Sequence, residues 1–249
     1  MAIDAALLDI ADQSPSLPLV RLYRWAVPTV TVGYFQVDGA GESDAAWASC
    51  PRVRRLTGGG AILHHHEITY SCVLPRTHCF RDSPLRLYEV MHVTIRELLA
   101  ENGVEVGFRA ELPLIDSPCA GAEEPFLCFR RADPRDLAMA DSGQRPKVVG
   151  SAQRRRRGTI LQHGSILLKA SPLLPEVPGI ADSHPAFDEP NFVGQLPSRL
   201  GQAVADTAIP SEYTEKELHL AFQYEHEKSP VSLAQGASAA GDWVVQGDE

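Results

Sequence analysis

A cysteine and a lysine in the second half of the chain have the strongest potential for chemistry. Cys128 lies in the stretch 109–135, which is rich in Pro, Asp, Glu and Gly and is predicted to be an irregular loop. Arg130 and Arg131 follow it, and positive charge near a thiol favours the nucleophilic thiolate. Lys147 begins an apolar run, which can hold the lysine stem and aim the ammonium at a carbonyl or phosphate. An unreactive thiol and an edge lysine that discourages sheet pairing are the alternatives.

The other four cysteines carry weaker signals. Cys72 lies in an apolar run and is predicted to be inert core. Cys119 shares the irregular stretch with Cys128, whereas Cys50 and Cys79 flank loops. Five cysteines without a CxxC spacing disfavour a disulfide framework or a zinc ribbon, and we expect free thiols in a reducing cytoplasm.

A glycine-rich segment between two strand-like runs is the second candidate site. It runs from Arg54 to Ala61 as Arg-Arg-Leu-Thr-Gly-Gly-Gly-Ala. Glycines let the backbone approach a ligand closely, and adjacent arginines can hold a phosphate or carboxylate. Because no GK[ST] follows, the segment is not a Walker loop. Spacing alone favours a simpler interpretation, a hairpin loop with two solvated arginines.

Three consecutive histidines follow this segment and have the composition of a metal site. Adjacent side chains of a strand point to opposite faces, so at most His64 and His66 could share a metal ion. The spacing offers no third ligand. A structural or substrate-lining role for His64 is therefore the favoured interpretation, and no metal is expected.

Hydrophobic periodicity predicts the elements that must position these residues. The predicted elements are an amphipathic helix over 1–11, strands over 19–25, 29–35 and 69–74, a helix from Pro84 to Asn102 with Ser83 as N-cap, a β-meander over 136–140, 147–153 and 159–168, and a late helix with a Thr214–Glu217 capping box that buries Leu218, Ala221 and Phe222. Beyond Ser171 prolines multiply, and 229–249 is expected to be a mobile tail. Strands mixed with few helices predict one α+β domain over 1–228.

The charge balance limits the possible partners. The 249 residues include 23 Lys and Arg against 32 Asp and Glu, a net charge of -9, which argues against nucleic acid as the main partner. The first 13 residues lack Lys and Arg, unlike a signal peptide, and no apolar stretch approaches the ~20 residues of a membrane span. The basic run 154–157 is predicted to be a solvated turn, with docking of an acidic protein as its functional alternative.

Five motifs in a fixed order carry a resemblance to a known family. They are Met1 to Leu8, Pro28 to Gln36, Arg54 to His64, Lys147 to Gln153, and Gly158 to Ser165. The chain resembles the lipoate–protein ligase and octanoyltransferase family from residue 1 to about residue 225. That resemblance implies a single biotin/lipoyl-ligase-like catalytic domain with mixed β-sheets and flanking helices. Cys128-Phe129 upstream of the lysine motif is most similar to the cysteine-dependent octanoyltransferases of the ligase-like branch.

The resemblance implies a two-step acyl transfer that needs no cofactor. Cys128 would take the octanoyl group from octanoyl-acyl carrier protein as a thioester, and Lys147 would stabilise the oxyanion. A lysine of a lipoyl carrier domain, on the glycine cleavage H protein or a 2-oxoacid dehydrogenase E2, would then accept the group. The substrate-binding residues that the resemblance implies are Arg54, Arg55, Gly58, Gly59, Gly60, His64, Gly150, Ser151, Ala152, His163 and Gly164.

Other activities within the family stay open. Gly60 is the ligase-like choice where cysteine-dependent members often have Arg, so ATP- and magnesium-dependent lipoate ligation is one alternative. Against it, ligases commonly have a further C-terminal domain, which the roughly 25 residues after the late helix cannot form. An octanoyl amidotransferase acting between lipoyl domains and a non-catalytic carrier-binding relative are the others. Because both partners are typically acidic, docking is expected through the basic clusters Arg52, Arg54, Arg55 and Arg154 to Arg157.

Overall fold

The computed structural model describes residues 1–13, 17–37, 44–112, 125–140, 143–227 and 243–247. Its helices are α1 (Ala2–Gln13), α2 (Pro84–Glu101), α3 (Ile180–Ser183), α4 (Glu189–Gln202) and α5 (Glu215–Glu227). Its strands are β1 (Leu19–Tyr23), β2 (Thr29–Val32), β3 (Arg52–Arg54), β4 (Ile62–His64), β5 (Glu67–Leu74), β6 (Val106–Phe108), β7 (Leu137–Met139), β8 (Lys147–Arg156), β9 (Thr159–Leu167), β10 (Ala208–Ser211) and β11 (Trp243–Gly247). Short 3-10 helices span Cys79–Asp82 and Cys128–Arg130.

The strands form two sheets. In the described part of the chain, eight strands make the larger sheet in the order β10-β11-β1-β5-β9-β8-β7-β6, with antiparallel neighbours throughout. The smaller sheet has the order β3-β2-β4, where β2 is parallel to β3 and antiparallel to β4. The mixed sheets with flanking helices confirm the predicted α+β class, including the β7-β8-β9 meander.

The main core lies where α2 packs on the larger sheet. Every residue of β5 and β9 is buried, as expected for strands at the centre of a sheet with both faces covered. The apolar stripe of α2, with Met91 and Ile95 at its middle, is fully buried against them, which confirms the predicted amphipathic helix. Cys72 belongs to this core, and burial raises the pKa of its thiol.

The late helix α5 begins as predicted but buries fewer residues. Glu217 accepts a hydrogen bond from the Thr214 N–H at 2.7 Å, which confirms the capping box. The predicted burial is correct for Ala221 and wrong for Leu218 and Phe222, which are 49% and 58% exposed. The reason is that α5 packs mainly against α1, and no helix or sheet of the described ranges covers its opposite face.

The expectation of a mobile tail over 229–249 is wrong for its last described segment. Strand β11 pairs with β1 on one side and β10 on the other, and Val244 and Val245 are buried. Two adjacent β-branched residues favour a strand, and β1 offers an edge that such a strand can cover. Residues 228–242 and 248–249 lie outside the described ranges.

A helix also occurs in the proline-rich stretch beyond Ser171. In α4 the Asp188 carboxylate caps the Asn191 N–H, and Pro190 occupies the first turn, where its missing N–H costs nothing. Pro197 lies inside α4, yet the helix persists because it buries Phe192 against the sheet, among other apolar residues. Within the described ranges, none of the helices has both the length and the apolar character that crossing a bilayer requires.

Candidate active site

A solvent-open cavity lies between the two sheets and brings together most of the predicted site residues; its empty volume of about 420 Å³ includes the solvent space at its mouth. Residues of β4, β8 and β9 line it, together with the cysteine that follows the irregular stretch. The predicted residues on its wall are Arg55, Gly59, His64, Cys128, Gly150, Ser151, Ala152, His163 and Gly164. Gly58, Gly60 and Lys147 are not on the wall but contact residues that are. Arg54 is not on the wall either, and its hydrogen bonds go to the turn 33–36. Cys119 lies outside the described residues.

Cys128 is half-buried and is held by the segment that follows the three glycines. Its N–H donates to the Ala61 carbonyl at 2.7 Å, and Ala61 pairs with Leu127 in a parallel bridge. A Cβ on Gly60 would lie 2.5 Å from Arg131 Nε and 3.0 Å from Cys128 N. A glycine at residue 60 therefore lets the cysteine segment approach this closely.

Lys147 approaches the cysteine sulfur from the start of β8. Its Nζ lies 3.4 Å from Cys128 Sγ, 3.3 Å from the Cys128 carbonyl oxygen and 2.8 Å from Asp136 Oδ2. The lysine side chain is only 8% exposed. Burial lowers its pKa, but the nearby Cys128 and Asp136 outweigh burial and hold the lysine pKa above its ordinary value. The ammonium therefore stays charged throughout the neutral range.

Asp136 is a site residue that sequence reasoning missed. It precedes β7, is almost fully buried and accepts the Asp133 N–H at 2.9 Å. Burial raises the pKa of Asp136, while the Lys147 ammonium opposes that rise. A Cβ on Gly150 would lie 2.4 Å from Lys147 Cε and 3.2 Å from Asp136 Oδ1, so a glycine leaves room for this ion pair. No motif in the sequence marks the aspartate.

The two arginines before the glycines brace the loop. Arg55 is buried, and its guanidinium donates to the carbonyls of Gly58 at 3.0 Å and Gly60 at 2.7 Å. Arg54 donates to three carbonyls of the turn 33–36. Burial lowers the pKa of Arg55 to about 10. The interpretation of two solvated arginines is therefore wrong for Arg55, and both guanidiniums shape the cavity through the backbone.

Two buried histidines form part of the cavity wall. His64 contacts Glu67 through Nδ1 at 3.0 Å and the Thr31 hydroxyl through Nε2 at 2.7 Å. His163 Nε2 lies 3.4 Å from the buried carboxylate of Asp4. Burial lowers the pKa of both histidines, although the nearby carboxylates oppose it. Each ring is fixed in place by its neighbours.

The other two histidines of the triplet face a different region. The rings of His65 and His66 stack at 3.8 Å, and His65 Nδ1 lies 2.9 Å from Ser171 Oγ. In the part of the chain that the structure describes, no group of three or more His, Cys, Asp or Glu is arranged to hold a metal ion. His64 and His66 thus belong to separate surroundings.

Ser151 is paired with a histidine that sequence reasoning also missed. Ser151 Oγ lies 2.9 Å from His92 Nε2, and His92 Nδ1 lies 2.6 Å from the Arg135 carbonyl. A carbonyl only accepts, so Nδ1 carries the proton and Nε2 accepts the serine hydroxyl. Burial lowers the pKa of His92 to about 4, so the ring is neutral at pH 7. The serine oxygen also accepts from Gln162 Nε2 at 3.4 Å, which leaves one lone pair for a group in the cavity.

The arrangement suits nucleophilic acyl chemistry. A half-buried thiol lies at the wall of a cavity, and a fixed ammonium lies beside it. Such a cation stabilises negative charge on sulfur and on the oxygen of a tetrahedral intermediate.

Comparisons with known proteins identify the family of the chain. The family model described as lipoyl protein ligase A/B catalytic domain matches residues 1–177. The protein named Octanoyltransferase LipM of Macrococcus caseolyticus (strain JCSC5402) is 34% identical over 170 residues, which cover 67% of this chain and 60% of that protein. The matched part thus spans about 60% of the length of the curated relatives.

Solved structures share the fold. The structure titled as a bi-partite lipoate protein ligase and its E2 lipoyl domain from Thermoplasma acidophilum has a TM-score of 0.61 and 20% identity, covering 91% of this chain and 88% of that chain. Lipoate-protein ligase A bound with ATP also has a TM-score of 0.61, with 21% identity and coverage of 92% and 91%. At such identities the likeness concerns the fold alone.

Proposed function

Because the chain belongs to the lipoyl protein ligase A/B catalytic domain family, we propose that it transfers an octanoyl group from octanoyl-acyl carrier protein to a lysine of a lipoyl carrier domain. One observation carries the proposal: Lys147 Nζ lies 3.4 Å from Cys128 Sγ at the wall of the cavity. The similarity to proteins named Octanoyltransferase LipM supports the choice of acyl group.

In the first step Cys128 becomes acylated. Its thiolate attacks the carbonyl carbon of the donor thioester, and the negative charge moves onto the carbonyl oxygen next to the Lys147 ammonium. The tetrahedral intermediate collapses with cleavage of the bond to the donor sulfur. The carrier thiolate leaves and takes up a proton, and the octanoyl group remains on Cys128 as a new thioester.

In the second step the acyl group moves to nitrogen. The neutral amine of the acceptor lysine attacks the thioester carbonyl, the bond to Cys128 Sγ breaks, and the amine nitrogen loses a proton. The Ser151 oxygen, whose own proton is held by His92, can accept an N–H of the attacking amine. Thioester exchange is nearly balanced and amide formation is downhill, so the sequence of steps needs no ATP.

The same proposal includes an acceptor and a compartment. One structural neighbour is described together with its E2 lipoyl domain, which supports a lipoyl domain of this kind as acceptor. Cys50, Cys72, Cys79 and Cys128 are free thiols. A thiol nucleophile functions best in a reducing compartment, so we place the reaction in the cytoplasm.

ATP-dependent lipoate ligation is the second candidate. The fold is shared with a ligase bound to ATP, and the family resemblance makes Gly60 the ligase-like choice at its position. Ligation activates the free acid with ATP and has no need of Cys128. An octanoyl amidotransferase, in contrast, would use the same cysteine with an octanoylated lipoyl domain as donor.

Turnover assays with defined donors test the proposal. The protein should octanoylate a lipoyl domain from octanoyl-acyl carrier protein without ATP, and Cys128→Ala should lower the rate by at least about 10³-fold. Cys79→Ala, which changes an exposed cysteine, is the matched control and should keep wild-type turnover. Product that forms only with free lipoate and ATP would establish the ligase instead, and turnover only from an octanoylated lipoyl domain would establish the amidotransferase.

A further inference from the structure

A second cavity, a solvent-open cleft whose empty volume of about 370 Å³ includes the solvent space at its mouth, lies next to the Cys128 segment. Its walls are apolar and include Leu63, Leu127, Phe129 and Leu174. Ile62 lines both this cavity and the one that contains Cys128. The cysteine is thus a residue of the first cavity, whereas the residues on either side of it in the chain belong to the second.

The second cavity has polar groups beside its apolar walls. His65 and Ser171, which contact each other at 2.9 Å, both line it. Lys169 also lines it and is exposed to solvent, so its ammonium lies at the rim. An apolar cleft with a few polar groups and a cation at the entrance fits an uncharged, amide-bearing chain with an anionic end.

We propose that the second cavity binds the pantetheine arm of the acyl carrier protein, while the acyl chain occupies the first. This inference rests on the proposed octanoyl transfer. A donor thioester has two arms, one on each side of the bond that Cys128 must break, and both must be held for the carbonyl to meet the sulfur. Two cavities that flank the cysteine segment provide one site for each arm.

The chemistry of the arm matches the second cavity. Its branched alkane part suits the walls formed by Leu127, Phe129 and Leu174, and its amides can contact His65 or Ser171. Its phosphodiester end carries a negative charge, which Lys169 can meet at the rim. The side of the cleft nearest Cys128 would then receive the thioester.

Donors with and without the arm test the assignment. Octanoyl-acyl carrier protein and octanoyl-coenzyme A both carry it, whereas octanoyl-N-acetylcysteamine lacks the phosphate and most of the chain. Two variants act on the cavity, Lys169→Glu on its charge and Val177→Phe on its volume. Lys216→Glu on the exposed side of α5 makes the same charge change elsewhere and is the matched control. The initial rate of acylation of the protein is measured against donor concentration.

For both cavity variants we expect KM to rise about tenfold with the two arm-bearing donors and to stay at the wild-type value with octanoyl-N-acetylcysteamine. A rise with the carrier protein but not with octanoyl-coenzyme A would assign Lys169 to the carrier surface and overturn the arm site. Equal changes with all donors, or no change with any, would also overturn it. Thermal unfolding of each variant identifies a fold defect, and Lys169→Glu keeps the test open if Val177→Phe does not fold.

Two further outcomes separate this inference from the proposed function. If the wild-type protein is acylated by none of the donors, octanoyl transfer itself is refuted. If ATP binds the wild-type protein, in a direct binding titration, and Val177→Phe abolishes that binding, the cavity is a nucleotide site and the arm assignment falls while the acylation result stands.

Discussion

A buried ion pair fixes the charge beside the reactive sulfur. Lys147 Nζ and Asp136 Oδ2 are 2.8 Å apart, and both side chains are less than a tenth exposed. Removing one partner of such a pair leaves an uncompensated charge, so the pair acts as a unit. The ammonium is thereby held 3.4 Å from Cys128 Sγ, where it can act on the reaction.

Gly150 should be required for the position of this ammonium. In Gly150→Ala the new Cβ would collide with Cε and Nζ at the flexible end of Lys147, so the chain should fold while the lysine moves away from the sulfur. We expect the rate of Cys128 acylation to fall about 10²-fold and the unfolding free energy to fall by about 1–3 kcal/mol, because the displaced lysine also weakens its buried pair with Asp136. Gly143→Ala, where a Cβ meets nothing within 4 Å, is the control. An unchanged acylation rate in Gly150→Ala would contradict the role given to Lys147.

His92 should make the fold sensitive to acid. Its folded-state pKa of about 4 lies below the ordinary value of 6.5, so the unfolded chain takes up the proton first as the pH falls. The contribution of the neutral His92 ring to the unfolding free energy is therefore complete above about pH 6.5. As the pH falls from about 6.5 to about 4, the unfolding free energy decreases by about 3 kcal/mol. Denaturant unfolding of His92→Gln should show a correspondingly smaller loss over this range. His219→Gln, on exposed α5, should keep the wild-type profile, and an identical profile for His92→Gln would refute the assignment.

The sequence predicts the reactive residues better than it predicts the residues that hold them in place. The family resemblance implies Cys128, through a Cys-Phe pair upstream of the lysine motif, and Lys147, through that motif, and the structure brings the two side chains together. Asp136 and His92 belong to no motif, and they join the site only through the pairing of β7 with β8 and the packing of α2. Contacts of that kind depend on tertiary structure, which local patterns do not encode.

Helices and strands were predictable where a clear hydrophobic periodicity extends over many residues. Helix α2 and the strands β8 and β9 follow their patterns to within a few residues. Helix α4 escaped prediction because prolines normally end helices, and β11 escaped it because its neighbours are Ala, Gly and Ser. In both cases burial against the larger sheet decides the outcome, and that burial is visible only in the folded chain.

Strand β11 should contribute measurably to stability. Val245 is buried and packs at Gly201 of α4, where a Cβ would lie 2.8 Å from Val245 Cγ1. We expect Val245→Asp to lower the unfolding free energy by about 3 kcal/mol, because it places an unpaired carboxylate at an apolar site. Denaturant unfolding measures this change. A loss below about 0.5 kcal/mol would mean that β11 is not a stable part of the sheet.

At the scale of the whole molecule, the net charge of -9 opposes encounter with acidic partners, so local basic residues matter. Three of the four arginines in the predicted docking cluster 154–157 already contact other groups of the protein. Arg156 pairs with Asp9 and Asp12, Arg157 pairs with Asp12, and Arg154 packs over a tyrosine ring. Only Arg155 of this run is exposed and has no ion pair among the described residues.

Arg155 should therefore carry the electrostatic part of docking. We expect Arg155→Glu to raise KM for the protein donor about threefold and to flatten its salt dependence, because exposed charges act through a screened long-range field. Reaction with octanoyl-N-acetylcysteamine should be unchanged. Lys216→Glu makes the same charge change on α5 and should have a smaller effect. Equal losses with both donors would place Arg155 in the fold instead of the docking surface.

The most direct test of the central claim is the intact mass of the protein after incubation with octanoyl-acyl carrier protein in the absence of ATP. We predict one octanoyl adduct that hydroxylamine removes, that peptide mapping places on Cys128, and that is lost in Cys128→Ala but kept in Cys79→Ala. An adduct that persists in Cys128→Ala, or acceptor octanoylation without any adduct under single-turnover conditions, would contradict a thioester intermediate on Cys128.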